Sequence, residues 1–171
     1  MLTPGQKVPD IDLPLTIQAR FELSKQTPEN FTMLVFYRGS HCPICRSYLE
    51  EIGGRLDDFT SRGISVFAIS MDDEKRAQKV DQEWSTGDLP LVYDLSEDAA
   101  REWGLYISEK REGSEEPDTF SEPGLFILRP DMTLFFAVTQ SAPFTRPPLD
   151  QLLDALDYAK KNDYPARGSL S

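Results

Sequence analysis

The chain reads as an α/β sandwich, a central β-sheet flanked by helices and built largely on parallel pairings. Three observations lead there. The short continuous apolar runs Met33–Tyr37 and Ile64–Met71 suit strands buried on both faces. The segments that follow them carry apolar residues at three- and four-residue spacing, the helical period. These patterns alternate as β-α-β-α-β-α, which is the order of a parallel sheet with crossover helices.

The 171 residues, 39% hydrophobic and 11% aromatic, suit a single domain spanning 1–171 with its own packed core. Acidic residues outnumber basic ones by 29 to 18, a formal charge of −11. Such a surface repels phosphate backbones and anionic lipid, so neither nucleic acid nor membrane is an expected partner. No apolar run approaches the roughly 18 residues of a membrane span. The opening Met-Leu-Thr-Pro-Gly-Gln-Lys lacks the basic and apolar regions of a secretory signal. The expected location is cytoplasmic, where thiols are kept reduced.

Taken in order, Leu13–Ile17 and Ala19–Leu23 read as a small hairpin or edge pair, and Met33–Tyr37 as a central strand. From Pro43, the residues Ile44, Tyr48, Ile52, Leu56 and Phe59, with Leu49 beside them, form one helical stripe. Gly53-Gly54 interrupts that stripe, and close approach to the sheet or a kink is the reading preferred over phosphate binding. Gly63 caps its end. Ile64–Met71 is the second buried strand, and Asp72 or Asp73 caps a helix whose stripe is Ala77, Val80 and Trp84. Leu89–Tyr93 reads as a third strand and Ser96–Trp103 as a short helix capped by Ser96. Ser108–Glu122 holds six acidic residues (Glu109, Glu112, Glu115, Glu116, Asp118 and Glu122) and reads as an exposed, solvated loop, with a docking role as its alternative. Leu125–Leu128 and Leu134–Val138 form a hairpin. Pro147 or Pro148 opens a last helix with the stripe Leu149, Leu152, Leu153, Leu156 and Ala159, and a frayed tail runs over about 165–171.

The chemistry centres on Phe36-Tyr37-Arg38-Gly39-Ser40-His41-Cys42-Pro43-Ile44-Cys45-Arg46. Here a buried strand hands over to a helix, and the chain's only two cysteines and only histidine fall together. Two cysteines and one histidine are too few for a four-ligand structural zinc site or a disulfide-rich scaffold, so neither metal nor cofactor is expected. Unpaired N–H groups and the macrodipole at a helix N-terminus stabilise a thiolate. Residues i and i+3 at a helix start share a face and lie within disulfide reach. Cys42 at the mouth attacks a substrate disulfide, and Cys45 one turn in resolves the mixed disulfide. Beside this stands the reading of two buried, inert cysteines. His41 either faces the substrate and raises the local positive potential or is a local packing residue. Arg38 and Arg46 are candidates for electrostatic support of the thiolate, against the commoner fate of a solvated surface arginine.

These residues carry a resemblance. Phe36-Tyr37-Arg38-Gly39 followed by His41-Cys42-Pro43-Ile44-Cys45 resembles the active-site motif of peroxiredoxin-like members of the alkyl hydroperoxide reductase and thiol-specific antioxidant (AhpC/TSA) family. Pro4–Asp10, Ile69–Asp72 and Leu89–Asp94 resemble that family's opening and later core strands. The resemblance covers most of the chain, from Pro4 to about Tyr158. It implies a thioredoxin fold, with a central mixed β-sheet flanked by helices. It also implies an external thiol reductant of thioredoxin or glutathione type, a disulfide or peroxide substrate, and a homodimer as one assembly.

Two registers follow from it. The peroxiredoxin pattern Pro-x-x-x-Thr-x-x-Cys makes Cys45 the peroxidatic nucleophile, with Cys42 at the threonine, Arg38 at the proline and Pro123 at a late arginine. The thioredoxin register makes Cys42 the nucleophile and Cys45 the resolving thiol, with Pro123 as the cis-proline facing the pair. The second departs less from its pattern, so the expected function is a thiol–disulfide oxidoreductase, with a thiol peroxidase using Cys45 as the alternative. A third reading, of another class, is a redox-sensing adaptor or a metal carrier using His41, Cys42 and Cys45.

Overall fold

A computed structural model describes residues 2–170. Asp12–Pro14 (β1) and Arg20–Glu22 (β2) form the expected antiparallel pair, with Leu13 opposite Phe21, and a 3-10 turn, Leu23–Lys25, follows. The central strand is Phe31–Phe36 (β3). Pro43–Gly54 (α1) and Leu56–Thr60 (α2) lead to Ile64–Ile69 (β4). Next come Glu74–Glu83 (α3), Leu91–Val92 (β5) and Glu97–Glu102 (α4). Ile107–Glu109 (β6) pairs with Thr119–Ser121 (β7). Gly124–Leu128 (β8), Leu134–Thr139 (β9) and Leu149–Lys161 (α5) complete the described chain. Among the described residues, no helix is long and apolar enough to cross a membrane.

The main sheet has the order β5-β4-β3-β8-β9; β3, β4 and β5 are parallel to one another, β8 is antiparallel to β3, and β9 is antiparallel to β8. β3 therefore has a partner on each side, and all its residues are buried. Side chains alternate across a strand. Met33 and Val35 join Leu49 and Ile52 of α1 and Leu153 and Leu156 of α5 on one face. Leu34 and Phe36 meet Phe21, Trp103 and Phe126 on the other. These two clusters fix the end of β3, and with it the point from which the cysteine-bearing loop departs.

Several expectations are corrected. The stripe from Ile44 to Phe59 is broken at Arg55 (φ −122°, ψ 20°) into two helices, and Ile44 is 38% exposed. Gly53 does make a close approach, but to the backbone of Thr86 beyond α3 rather than to the sheet. The third strand is shorter than Leu89–Tyr93, because Pro90 has no N–H to give to a ladder. Asp73, not Asp72, caps α3 by accepting from Arg76 N (2.9 Å). The segment 108–122 is a solvated loop only in part. Its ends form the β6–β7 ladder; Glu109, Glu112, Glu115 and Asp118 are exposed, whereas Glu116 and Glu122 are only 2% and 3% exposed. Counting charges along the chain overlooks arginines that arrive from elsewhere. Beyond Tyr164 the described tail has no regular structure, though Arg167 and Pro165 lie beside Leu2 and Pro4; its final residue, Ser171, is outside the described range.

Asp72 is left free for another task. Gly39 takes φ +126°, and any Cβ there would run into the Asp72 carboxylate. That close approach lets Asp72 Oδ2 accept from Ser40 N at 2.7 Å and pin the loop before Cys42. Burial pushes the Asp72 carboxyl up to about 6, against the opposing pull of the Ser40 amide.

Two outcomes follow from this packing. Gly53→Ala should destabilise the protein by about 1–3 kcal/mol through overlap with Thr86, although Ala is intrinsically the better helix former. Gly54→Ala, next to it with open space around it, should stabilise by up to about 1 kcal/mol. Thermal or urea unfolding of both variants reads the contrast. Because Asp72 is harder to ionise folded than unfolded, its charge costs stability, absent below the ordinary value of 3.8 and full above about 6. Asp72→Asn, which keeps an acceptor for Ser40, should gain about 2–3 kcal/mol at pH 7.5 and almost nothing at pH 3.5.

Candidate active site

β3 ends at Phe36, and Tyr37 N still bonds Ile69 O (3.0 Å) across to β4. The chain then turns through Gly39, with Cys42 N donating to Gly39 O (3.1 Å), and enters α1. Cys42 is the N-cap residue and Pro43 opens the helix, where its missing N–H costs nothing. Cys42 Sγ accepts from Cys45 N at 3.2 Å, an amide with no partner inside the helix. The two cysteines are paired as a disulfide, with Cα atoms 5.2 Å apart. The expected juxtaposition at a helix start is therefore present.

The expected mouth position of Cys42 is not. Cys42 and Cys45 are each 1% exposed, and the residues between them, Pro43 and Ile44, take the surface instead. Cys45, rather than Cys42, borders a narrow crevice walled by Tyr37, Tyr48, Pro123, Gln140, Arg146 and Pro147, with room for about one water-sized molecule.

Into this crevice comes a residue that the sequence did not disclose. Arg146, 101 residues from Cys45, places Nη2 at 3.2 Å from Cys45 Sγ. Its Nε donates to Gln140 Oε1 at 3.1 Å, and its guanidinium lies 5.7 Å from the centre of the Tyr48 ring. Neither hydrogen-bond partner is a carboxylate. Burial pushes the Arg146 pKa below the ordinary arginine value, yet a guanidinium remains charged at neutral pH. Tyr48 is held by Pro147 O (2.8 Å), and burial pushes its hydroxyl up, as it does that of Tyr37. Arg146 had no local signal: it sits in Thr-Arg-Pro-Pro before α5, and only the chain's return over the sheet brings it to the sulfur.

The other candidate residues divide. Arg38 is half-buried and lies between Glu116 Oε1 (3.4 Å) and Glu122 Oε2 (3.2 Å), with its guanidinium 4.7 Å from the centre of the Phe120 ring. Hydrogen bonds from Arg111 hold the Glu116 carboxyl down at about 2. Arg46 points away from the sulfurs to Glu50 Oε1 (2.8 Å) and Glu83 O (3.0 Å), joining α1 to the end of α3. His41 rests edge-on against Phe120 at 4.7 Å and is not a wall of the crevice. Burial, then the nearby Arg38, push its pKa down to about 4, so it is neutral at physiological pH and adds no positive potential. Pro123 does line the crevice beside Cys45. No cis peptide bond occurs among the described residues, so the expected cis-proline is a trans one. The chain runs extended from β7 to β8 here, with Glu122 N bonded to Tyr106 O (2.7 Å) and Pro123 O to Gln140 N (2.9 Å). Among the described residues, no cluster of three or more His, Cys, Asp and Glu side chains is placed to hold a metal ion.

Comparison with known proteins places this arrangement. Residues 4–137 match the model of the AhpC/TSA family, a span that contains both cysteines and stops short of Arg146. The chain is 24% identical over 168 residues to a probable 1-Cys peroxiredoxin of Syntrichia ruralis, covering 92% of this chain and 75% of that protein. It is 30% identical over 113 residues to a putative peroxiredoxin of Mycobacterium tuberculosis, covering 66% and 70% of the two. In fold it is similar to peroxidoxin BcpB from Mycobacterium tuberculosis (TM-score 0.74, 21% identity, 92% and 98% coverage). It is also similar to Mycobacterium bovis AhpC (TM-score 0.75, 17% identity, 100% and 99% coverage). With most of its length matched and its cysteine pair at the helix start, the chain belongs to the AhpC/TSA family and is a thiol-dependent oxidoreductase with a thioredoxin fold.

Proposed function

We propose that the protein is a thiol peroxidase in which Cys45 is the peroxidatic nucleophile and Cys42 the resolving thiol. The observation that carries this reading is the Arg146 guanidinium 3.2 Å from Cys45 Sγ, inside the crevice and at the N-terminal end of α1. Helix end and cation both favour a thiolate at that sulfur. Small crevice volume favours a small reactant at Cys45, such as a peroxide. The opposite order of attack, with Cys42 as the first nucleophile, lacks this support: the guanidinium contacts Cys45 Sγ, and Cys45, not Cys42, borders the crevice.

The cycle balances without metal or bound cofactor. The Cys45 thiolate attacks the terminal oxygen of a peroxide ROOH; the S–O bond forms, the O–O bond breaks, and RO⁻ takes a proton to leave as an alcohol, or as water from hydrogen peroxide. The product is Cys45 sulfenic acid. Arg146 is placed to stabilise charge as it passes from sulfur to the leaving oxygen. The Cys42 thiol then attacks the sulfenic sulfur and releases water, giving the Cys42–Cys45 disulfide. Two equivalents of an external thiol, of thioredoxin or glutathione type, return the pair to thiols and are themselves oxidised to a disulfide.

The test is peroxide consumption by the purified protein with a thiol reductant, together with sulfenic acid trapping. Cys45→Ser should abolish both. Cys42→Ser should still consume one equivalent of peroxide and accumulate trappable sulfenic acid. The reverse pattern, with sulfenic acid only when Cys42 is kept, or disulfide reduction without peroxide turnover, would overturn the assignment. Arg146→Met should raise the pH midpoint of Cys45 alkylation by about one unit and slow peroxide reduction on the order of 10- to 100-fold.

A further inference from the structure

The cation at Cys45 is itself held in place by a connected series of contacts. Arg146 Nε donates to Gln140 Oε1 (3.1 Å), and the Gln140 side-chain amide donates to Phe144 O (2.7 Å) and to Thr145 O, fixing the loop that carries Arg146. Gln140 N in turn donates to Pro123 O (2.9 Å), in the wall of the same crevice. The residue before Pro123 is Glu122, whose buried carboxylate meets Arg38 Nε at 3.2 Å and accepts from Ser108 Oγ at 2.6 Å. Arg38 follows Tyr37, another wall residue of the crevice. The series therefore closes a ring around the crevice, from one wall through Arg38, Glu122, Pro123 and Gln140 to Arg146 and the sulfur.

Arg38 and Arg146 stand in opposite electrostatic states. Arg38 lies between two buried carboxylates, so its field at the sulfurs is largely cancelled. Arg146 hydrogen-bonds only an amide oxygen and a sulfur. The first is built to hold position and the second to deliver charge.

We propose that the Arg38–Glu122 ion pair and Gln140 are positioning residues for the Cys45 thiolate, acting only through the aim of Arg146. This deepens, and rests on, the reading of Cys45 as the nucleophile. A merely structural ion pair would change stability and leave the ionisation of Cys45 alone. An arginine acting directly on the thiolate would grow stronger on losing a counter-charge. The relay predicts neither.

The test uses the full chain carrying Cys42→Ser, so that Cys45 is the sole thiol, and reads the pH midpoint of its alkylation beside thermal stability. Glu122→Gln frees Arg38 of one counter-charge; a direct field effect lowers the midpoint, whereas loss of aim raises it. The expected result is a rise of about half a unit with Glu122→Gln and a larger one with Gln140→Ala. In an Arg146→Met background neither substitution should add a further shift, since the cation they aim is gone. A fall or no change with Glu122→Gln, or an equal shift with and without Arg146, overturns the proposal. Where Glu122→Gln fails to fold, Gln140→Ala in the two backgrounds decides alone by the same comparison. Absence of peroxide turnover in the wild type would sink the peroxidase reading, while the midpoint series would still report whether the relay exists.

Discussion

A guanidinium set against a sulfur in a nearly closed space is the constraint around which the rest of the site is arranged. Removing an arginine from water is costly unless an anion or several hydrogen-bond acceptors meet it. Arg146 hydrogen-bonds only Gln140 Oε1 and Cys45 Sγ. With the pair oxidised, both are neutral and the half-buried charge has no hydrogen-bonded counterion. With the pair reduced, a Cys45 thiolate supplies one. The site is thus electrostatically complementary to a deprotonated Cys45, which is the reactive form of a thiol. The helix start adds to the same preference, since the four leading amides of α1 leave partial positive charge beside the sulfur.

Everything that carries these groups depends on β3. Its two buried faces lock it between the α1–α5 side and the α4 side, and the chain leaves it at Tyr37 with little freedom. Asp72 holds the loop through Ser40, and Gly39 admits the carboxylate where no side chain would fit. From the other direction the β6–β7 hairpin presses Phe120 onto both Arg38 and His41. The acidic segment that carries this hairpin therefore packs behind the active-site loop, and its buried carboxylates Glu116 and Glu122 are the counter-charges of Arg38.

That division explains what was legible in the sequence. The strands, the helix start and the apolar stripes are local patterns of period two or about 3.6, and nearly every one of them matches an element of the fold. The cysteine pair was legible for the same reason: both residues sit within one helical turn. The contact of Arg146 with Cys45 and those of Arg38 with Glu116 and Glu122 were not, because each joins residues far apart in the chain. Charge composition misled for Arg38 and the 108–122 segment, since a count of like charges carries no information about which are buried against opposite ones. Local reading offered Arg38 and Arg46 as the arginines near the nucleophile, and the family resemblance pointed to position 123, which holds a proline; the structure brings an arginine from position 146 instead.

The spacing of the pair matters for how the proposed cycle closes. Cys42 is the cap and Cys45 the third residue of α1, and the structure joins their sulfurs with the helix intact from Pro43 onward. A sulfenic acid on Cys45 thus forms within reach of its resolving thiol, with no turn of helix to unwind first. Two fates compete for a sulfenic acid, condensation with a thiol or further oxidation by a second peroxide. Here the thiol is fixed to the same turn, while the second peroxide must arrive from solution. Proximity favours the first fate. The short spacing therefore explains why two cysteines suffice for this chain, and why neither needs to reach the surface for the disulfide to form.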